Sequence, residues 1–196
     1  MLVCSIVIIM STRSARTEQF LTRVGKRIRA RRQVRGWTVQ QLADASELSR
    51  RMLTQIELGD ANPSLATIDR IAHALDTSFG ELAISNAQTD RVFNGSTLAW
   101  EDEHGSSAHI LGATAKADTE LWRWHLAPES HYVAEPDRQG SEEIHHVLEG
   151  ILKIDLEDES LKISAGMTAT IRSDQHYSYR ATGDTPVEFI RVVVNA

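Results

Sequence analysis

Residues 38–59, TVQQLADASELSRRMLTQIELG, predict two short helices joined by a tight turn, and no other stretch constrains the fold as strongly. Thr38 is a good N-cap because its hydroxyl can accept a bond from an unpaired backbone N–H, and Gln41 three residues later completes a capping box. Ser49 is the N-cap candidate for the second helix. Gly59 is placed to end that helix, since glycine adopts the positive φ of a C-terminal cap without steric cost.

An apolar stripe at helical spacing follows each cap, with Val39, Leu42 and Ala43 in the first helix and Met52, Leu53 and Ile56 in the second. Polar side chains occupy the other face of the second helix: Arg50, Arg51, Thr54 and Gln55. Two arginines at a helix N-terminus oppose the helix dipole. They suit a helix that enters the major groove of DNA, because Arg and Gln can form bidentate bonds to guanine and adenine. The alternative is a solvated face on an ordinary helical pair.

Residues 26–82 closely resemble the Cro/repressor-type helix-turn-helix family, also called the xenobiotic-response-element type. The matching residues include Ile28-Arg29, Arg32, Gly36, Thr38, Leu42-Ala43, Ser49, Ile56-Glu57, Gly59, Asn62-Pro63-Ser64, Ile71-Ala72 and Leu75. The resemblance implies a bundle of five helices that binds double-stranded DNA, usually as a dimer. Carried over by position, Arg50, Arg51 and Gln55, with Thr54 beside them, are the base-reading candidates, and Thr38 and Ser49 would contact phosphate.

Charge divides the chain into two parts. The whole chain of 196 residues has a net charge of −6, but residues 1–60 carry 11 Lys and Arg against 5 Asp and Glu. Residues 91–196 carry 9 against 18. This asymmetry indicates a basic nucleic-acid module joined to an acidic module with another task. The single cysteine, Cys4, excludes a disulfide within the chain and fits a reducing cytoplasm.

The sequence predicts four segments: a tail over 1–17, a helix-turn-helix domain over 18–84, a linker over 85–96 and a second domain over 97–196. Residues 2–10 are apolar but too few to span a membrane, which takes about 20 residues. We expect an over-extended gene start with Met10 as the initiator; a disordered tail or a strand that packs on a partner are the alternatives. The first helix is predicted from Glu18 to Val34. Its basic residues predict a phosphate-binding surface: Arg23, Lys26, Arg27, Arg29, Arg31, Arg32 and Arg35.

Beyond residue 97 the apolar period changes from helical to alternating, which predicts strands. The candidates are residues 107–114, 119–126, 143–148, 151–156, 168–171, 175–180 and 187–194. Many short strands at regular spacing favour an antiparallel sandwich or barrel. The predicted fold class is therefore α+β in two domains.

Two passages resemble the motifs of the cupin family, a small β-barrel: Glu142 to Gly150, and Ala165 to His176. Metal-binding cupins carry a His-x-His pair before the glutamate that Glu143 matches. This chain has Asp137 with Gln139, or Pro136 with Arg138, at those positions. Glu143 and His176 remain, and His131, His145 or Asp137 could complete a different site for a divalent metal such as zinc or iron. The alternative is that these histidines are pocket or surface residues.

A barrel of this size can hold one small ligand. Five residues are the candidate pocket: Arg123, His125, Glu143, His145 and His176. Alternation places Trp122 and Trp124 on one face of their strand and Arg123 and His125 on the other, and tryptophans in such a pattern are more often core than ligand platform. An arginine inside the barrel would favour a carboxylate-bearing effector, because guanidinium pairs bidentately with carboxylate.

Together these features predict a cytoplasmic, sequence-specific transcriptional regulator, active as a homodimer, whose cupin domain senses a small molecule and which binds no membrane. We do not expect an enzyme. The alternative is a cupin metal enzyme, a dioxygenase or isomerase, with an attached DNA-binding module. A helix-turn-helix used only for protein contacts is a third hypothesis. The basic first helix argues against it, because protein interface cores are depleted in charge.

Overall fold

The computed structural model describes residues 14–84, 95–114 and 118–195. Within these ranges, five helices precede ten strands, which confirms the two-domain α+β prediction. The apolar stretch at residues 2–10 and most of the predicted linker lie outside the described residues. No helix in the described ranges is long and apolar enough to cross a membrane.

The helical domain contains α1 (Ala15–Val34), α2 (Val39–Ala45), α3 (Arg50–Leu58), α4 (Leu65–Ala74) and α5 (Phe79–Ala83). Helix α1 begins three residues before the predicted Glu18 because the Ser14 side chain accepts a hydrogen bond from the backbone N–H of Thr17 at 3.3 Å. Residues 15–17 therefore belong to the helical domain and not to the tail. The apolar residues Phe20, Val24 and Ile28 of α1 are buried in a core shared with the other helices. Those helices contribute Leu42, Leu53, Ile68 and Ile71 to it.

Helices α1 and α3 approach each other closely at Gly25. A Cβ atom added to Gly25 would lie 2.3 Å from the carbonyl oxygen of Ile56, so only glycine permits this approach. Gly59 ends α3 with φ of 80°, as the sequence predicts. Helix α3 is thus seated on α1 by backbone-level contact.

The second domain consists of antiparallel strands in two sheets. One sheet has the order β1-β2-β3-β10-β5-β8, and the other has the order β4-β9-β6-β7. The strands are β1 (Thr97–Glu101), β2 (Ser107–Ala113), β3 (Thr119–Leu126), β4 (His131–Ala134), β5 (Glu142–Glu149), β6 (Ile151–Asp155), β7 (Ser160–Ser164), β8 (Thr168–Arg172), β9 (Tyr177–Ala181) and β10 (Val187–Val194). Strands β1, β4 and β7 are absent from the predicted set. Each of the three is only four or five residues long. Each is held in place by pairing with another strand: β1 with β2, β4 with β9 and β7 with β6.

The two sheets face each other across an aromatic core. Trp124 of the larger sheet contacts Tyr132 and Tyr179 of the smaller sheet, with ring centroids 4.7 and 5.5 Å apart. The helical domain packs on the barrel at two places. Thr17 Oγ1 of α1 donates to Glu101 Oε1 of β1 at 2.5 Å. The ring centroid of Phe79 in α5 lies 5.4 Å from that of the buried Trp122. The helical domain therefore contacts the barrel through both α1 and α5.

Candidate DNA-binding face and barrel interior

The caps predicted for the helix-turn-helix are present. Thr38 Oγ1 accepts from the Gln41 backbone N–H at 3.2 Å, and Gln41 Oε1 accepts from the Thr38 N–H at 2.8 Å. At the start of α3, Ser49 Oγ accepts from the Met52 N–H at 3.1 Å. These bonds satisfy backbone donors that a helix otherwise leaves unpaired, so the sequence specifies where both helices begin.

The polar face of α3 is open to solvent. Arg50, Arg51, Thr54 and Gln55 are all exposed, whereas Leu53 and Ile56 are buried. The assignment of Met52 to the apolar stripe is wrong, because its side chain lies on the solvent side of α3. Neither arginine forms an ion pair with another residue that the structure describes. Thr38 and Ser49 are exposed beside this face, at the starts of α2 and α3. The structure thus brings all six predicted DNA-binding residues to the surface of one helix-turn-helix unit, and their contact with DNA stays a prediction.

A buried ion pair joins α3 to α1 on the side of α3 that faces away from solvent. Arg32 of α1 donates to Glu57 of α3 through Nε (2.6 Å) and Nη2 (2.9 Å), and its Nη1 donates to the carbonyl oxygen of Trp37 (2.8 Å). The hydrogen bonds that Arg32 donates to Glu57 raise the pKa of Arg32 and outweigh the opposing effect of burial. This bidentate geometry sets the rotation of α3 and hence the direction in which its polar face points.

The interpretation of the α1 arginines as a phosphate-binding surface is largely wrong. Arg23 donates to the carbonyl of Ala83 (3.1 Å), and Arg27 donates to the carbonyls of Leu82 (3.0 Å) and Ile84 (2.6 Å). Three further members of the set pair with acidic residues of the same domain: Arg31 with Glu81, Arg32 with Glu57 and Arg35 with Asp76. Three of these six arginines, Arg23, Arg27 and Arg31, bind residues 81–84 at the C-terminal end of the helical domain, where helix carbonyls attract cations. Lys26 and Arg29 remain exposed.

Glu143 lies at the centre of the barrel interior, fully buried, as the predicted alternation of β5 requires. Its carboxylate accepts from Tyr177 Oη at 3.0 Å and from Tyr179 Oη, and it lies 3.1 Å from His145 Nε2 and 3.2 Å from Arg191 Nη1. Burial alone would raise the pKa of Glu143, but the charge of Arg191 and the bonds from His145 and Tyr179 lower it to about 2. Glu143 is therefore an anion whose donors all come from this chain.

Arg191 of β10 occupies the space beside Glu143. Its guanidinium carbon lies 4.9 Å from the ring centroid of Trp122 and 5.2 Å from that of Trp124. This arrangement combines a salt bridge with cation–π contacts to two buried rings. Trp122 and Trp124 are fully buried, in agreement with the interpretation of both as core residues. Sequence reasoning missed Arg191; its signal was a charge at the centre of a strand that is apolar except for Glu188 near its start.

The residues present do not fit the predicted divalent metal. Both oxygens of Glu143 already accept bonds, and His131 and His176 have exposed side chains, on β4 and just before β9. In the part of the chain that the structure describes, no group of three or more Asp, Glu, His or Cys side chains could hold a metal ion. The structure brings together only Glu143 and His145 of the four residues predicted as ligands.

The predicted ligand pocket divides between two faces of the larger sheet. Arg123 and His125 lie on its outer face, because Trp122 and Trp124 on the same strand point inward. Arg123 Nε donates to Glu188 Oε2 at 3.1 Å, and His125 Nδ1 lies 2.8 Å from Glu188 Oε1. With His109, they line an outer groove of about 370 Å³. Glu143 and His145 are interior and His176 is exposed, so the five residues do not share one pocket.

Family comparisons agree with this architecture. A helix-turn-helix family model matches residues 28–82, and a cupin-domain family model matches residues 122–194. The chain therefore contains a helix-turn-helix domain followed by a cupin domain.

Two proteins illustrate the relationship. The HTH-type transcriptional regulator SutR of Escherichia coli (strain K12) is 26% identical over 163 residues, which are 81% of this chain and 86% of SutR. The crystal structure of an HTH_3 family transcriptional regulator from Vibrio cholerae matches with a TM-score of 0.70 at 23% identity, over 92% of this chain and 99% of that chain. The second likeness shows that both domains occur in this order in one solved fold.

Proposed function

We propose that this chain is a cytoplasmic, sequence-specific transcriptional regulator that reads double-stranded DNA with the exposed face of α3. One observation carries the proposal: Arg50, Arg51, Thr54 and Gln55 are exposed together, on a helix whose rotation the buried pair Arg32–Glu57 fixes. Arg and Gln are the residue types that distinguish guanine and adenine by bidentate bonds in the major groove. Ser49 and Thr38 stand at helix N-termini, where backbone N–H groups and hydroxyls bind phosphate.

We further propose that the protein acts as a homodimer. Two copies of α3 about 34 Å apart would bind a palindromic site in successive major grooves of one DNA face. Light scattering coupled to size-exclusion chromatography tests the mass in solution. Footprinting on a selected duplex tests the geometry, since a dimer protects two half-sites about 10 base pairs apart and a monomer protects one.

The barrel is proposed as the sensor for a small molecule rather than as a catalyst. Its interior is filled by the pair Glu143–Arg191 and its aromatic neighbours, and these residues leave no set of metal ligands among the described residues. A carboxylate-bearing effector is the favoured class, because Arg123 in the outer groove offers two Nη groups beyond the Nε bonded to Glu188. A thermal-shift screen of small carboxylates against the wild type and Arg123→Gln tests this site. Stabilisation that disappears in the variant supports it, and equal stabilisation of both proteins contradicts it.

A salt titration of DNA binding tests the central proposal. Anisotropy of labelled duplexes, one of random sequence and one selected by the protein, gives the slope of log K against log salt. Each neutralised phosphate contributes a slope of about −0.9. We expect a slope of several units for both duplexes and tighter binding of the selected one. Absence of binding at about 50 mM salt, where non-specific contacts are strong, would contradict a DNA-binding function.

A further inference from the structure

The loop between β4 and β5, residues 135–141, holds the helical domain. Arg138 Nε donates to Asp69 Oδ2 of α4 at 3.0 Å, and Arg138 Nη1 lies 3.0 Å from Nδ1 of His73, one turn further along α4. Arg138 Nη2 also bonds Asp118, which precedes β3. One guanidinium from the barrel thus joins a carboxylate of each domain.

The same loop binds the N-terminus of α4. Ser64, the N-cap of α4, donates through Oγ to Glu135 Oε2 at 2.8 Å, and Arg70 lies 3.9 Å from the same oxygen. Helix α4 is therefore held at its start and along its length. Since the buried residues Ile68 and Ile71 of α4 lie in the core that also supports α2 and α3, the position of α4 on the barrel determines where α3 points.

A small cavity of about 20 Å³ lies beneath this contact, between the domains. It has room for one water and not for an organic ligand. Its walls include Asp69 from α4 and Glu120, Asp137 and Arg191 from the barrel. Glu120 Oε1 and Asp69 Oδ1 are buried and have no hydrogen-bond partner among the residues that the structure describes, although Trp122 Nε1 donates to the other oxygen of Glu120 at 2.8 Å. Arg191 reaches from this cavity to Glu143, so it connects the barrel interior to the domain boundary.

We propose that Arg138, Asp69 and Asp118 form a latch that fixes the orientation of the DNA-binding domain on the barrel, and that the carboxylates at the cavity beside it control whether the latch stays closed. A change in the barrel interior reaches the latch through Arg191. The consequence for regulation rests on the proposed function, because the orientation of α3 matters only if α3 binds DNA.

The charges around the cavity make the closed latch dependent on pH. Burial raises the pKa of Glu120 from 4.5 to about 8 and that of Asp137 from 3.8 to about 7. When the two domains separate, water reaches these acids and their pKa values fall toward the ordinary values. The closed form therefore binds more protons than the open form. Closure is therefore favoured at low pH. It weakens progressively as the pH rises from the ordinary pKa values of these acids toward about 8, the pKa of buried Glu120. The charged groups that face the cluster are Asp69 and His73 of α4, Asp118, Arg138 of the β4–β5 loop, Glu143 of β5 and Arg191 of β10.

Double electron–electron resonance on the full chain measures the latch directly. Spin labels at the exposed positions Val34→Cys in α1 and Met167→Cys before β8, in a Cys4→Ser background, report one distance between the domains. We expect a narrow distribution in the parent protein and a broad, shifted one in Arg138→Gln. Arg172→Gln is the matched control, since Arg172 pairs only with Asp174 on the barrel surface, and it should keep the narrow distribution. A narrow, unshifted distribution in Arg138→Gln would overturn the latch.

A second variant series guards against misfolding and tests the pH dependence. Asp69→Asn removes the α4 partner of Arg138 and should broaden the distribution in the same way, with an unchanged circular dichroism spectrum. The parent distribution should broaden as pH rises from about 6 to about 8, and Glu120→Gln should suppress this change. Identical pH responses in the parent and Glu120→Gln would refute control by the cavity carboxylates.

DNA binding then separates this inference from the proposed function. Arg138→Gln should lose affinity for a duplex with two half-sites and keep parental affinity for a single half-site, because only the paired site needs a fixed orientation. Equal losses on both duplexes would contradict the latch as the cause. If the parent binds no DNA, the proposed function fails, whereas the distance measurement still decides the latch.

Discussion

Each domain contains one buried Arg–Glu pair, and the two pairs serve different ends. In the helical domain, Arg32 and Glu57 meet in a bidentate geometry, and their side chains keep 10% and 6% of their exposure. In the barrel, the side chains of Arg191 and Glu143 are 6% and 0% exposed. Glu143 also lies within hydrogen-bonding distance of His145 and two tyrosines. The first pair lies behind a binding face and orients it. The second occupies the space in which a barrel of this size would hold a ligand.

This difference shows how a buried charge can support a site or fill it. Removal of one partner from either pair leaves a charge without compensation, and the penalty increases with burial. Loss of the helical pair should therefore affect DNA binding through the orientation of α3. Loss of the barrel pair should lower the stability of the barrel and, through the latch, loosen the orientation of the helical domain, while the polar face of α3 itself stays intact.

The largest expected effect is that of Arg191→Met, which leaves Glu143 without its cation in a fully buried position. We expect a loss of about 3–5 kcal/mol in the free energy of unfolding of the barrel, measured by urea with fluorescence of Trp122 and Trp124. The double variant Arg191→Met/Glu143→Leu replaces both charges by apolar groups and should recover most of the loss. If the double variant is as unstable as the single one, packing of the arginine stem and not its charge stabilises the core.

Acid sensitivity sharpens the same contrast. Because the pKa of Glu143 is about 2 in the folded barrel and 4.5 ordinarily, its contribution to stability is complete above pH 4.5 and is lost as pH falls toward 2. Glu143→Gln should flatten the dependence of the urea midpoint on pH in this range. Glu142→Gln, on the exposed face of the same strand, is the matched control and should retain the parental slope. Parallel slopes for all three proteins would contradict the low pKa.

In the helical domain, Arg32→Met should cost about 2 kcal/mol of stability, less than the barrel change because the pair is closer to solvent. It should also weaken DNA binding, since Glu57 no longer fixes the rotation of α3. Arg29→Met, at an exposed position of the same helix, is the control for loss of one positive charge. Equal DNA affinity for Arg32→Met and the wild type would show that the pair stabilises the fold without orienting α3.

These two domains also differ in what the sequence could predict. The caps Thr38 and Ser49 and the end at Gly59 depend on residues three or four positions apart, so the pattern revealed them. The partners of Arg27 are carbonyl groups at the end of α5, more than 50 residues away in the sequence. The sequence near Arg27 does not reveal them, so from the sequence its side chain is predicted to be a phosphate ligand. Arg191 depends on the pairing of β10 with β5, which brings it to Glu143, and no local spacing encodes that meeting.

Base reading is expected to produce effects of intermediate size. Arg50→Ala and Gln55→Ala should each reduce affinity for the selected duplex by about 1–3 kcal/mol and relax the preferred base at one position. Affinity for random duplex should fall much less for Gln55→Ala, because an amide neutralises no phosphate. Gln33→Ala, an exposed glutamine at the end of α1, is the matched control. Unchanged selection profiles for both variants would refute α3 as the recognition helix.

The smallest effect tests whether a cap of the recognition helix has a second role in DNA binding. Ser49→Ala removes the bond from the Met52 N–H and should cost about 1 kcal/mol of stability, as N-cap losses do. Ser64→Ala removes the equivalent cap of α4, whose hydroxyl contacts Glu135 and not the DNA-binding face, so it is the natural comparison. If Ser49 contacts phosphate, only its variant should also weaken random duplex binding and make the salt slope less steep. Equal salt slopes for the two variants would mean that Ser49 caps α3 and does nothing more, and phosphate contact would then fall to Thr38 and the backbone.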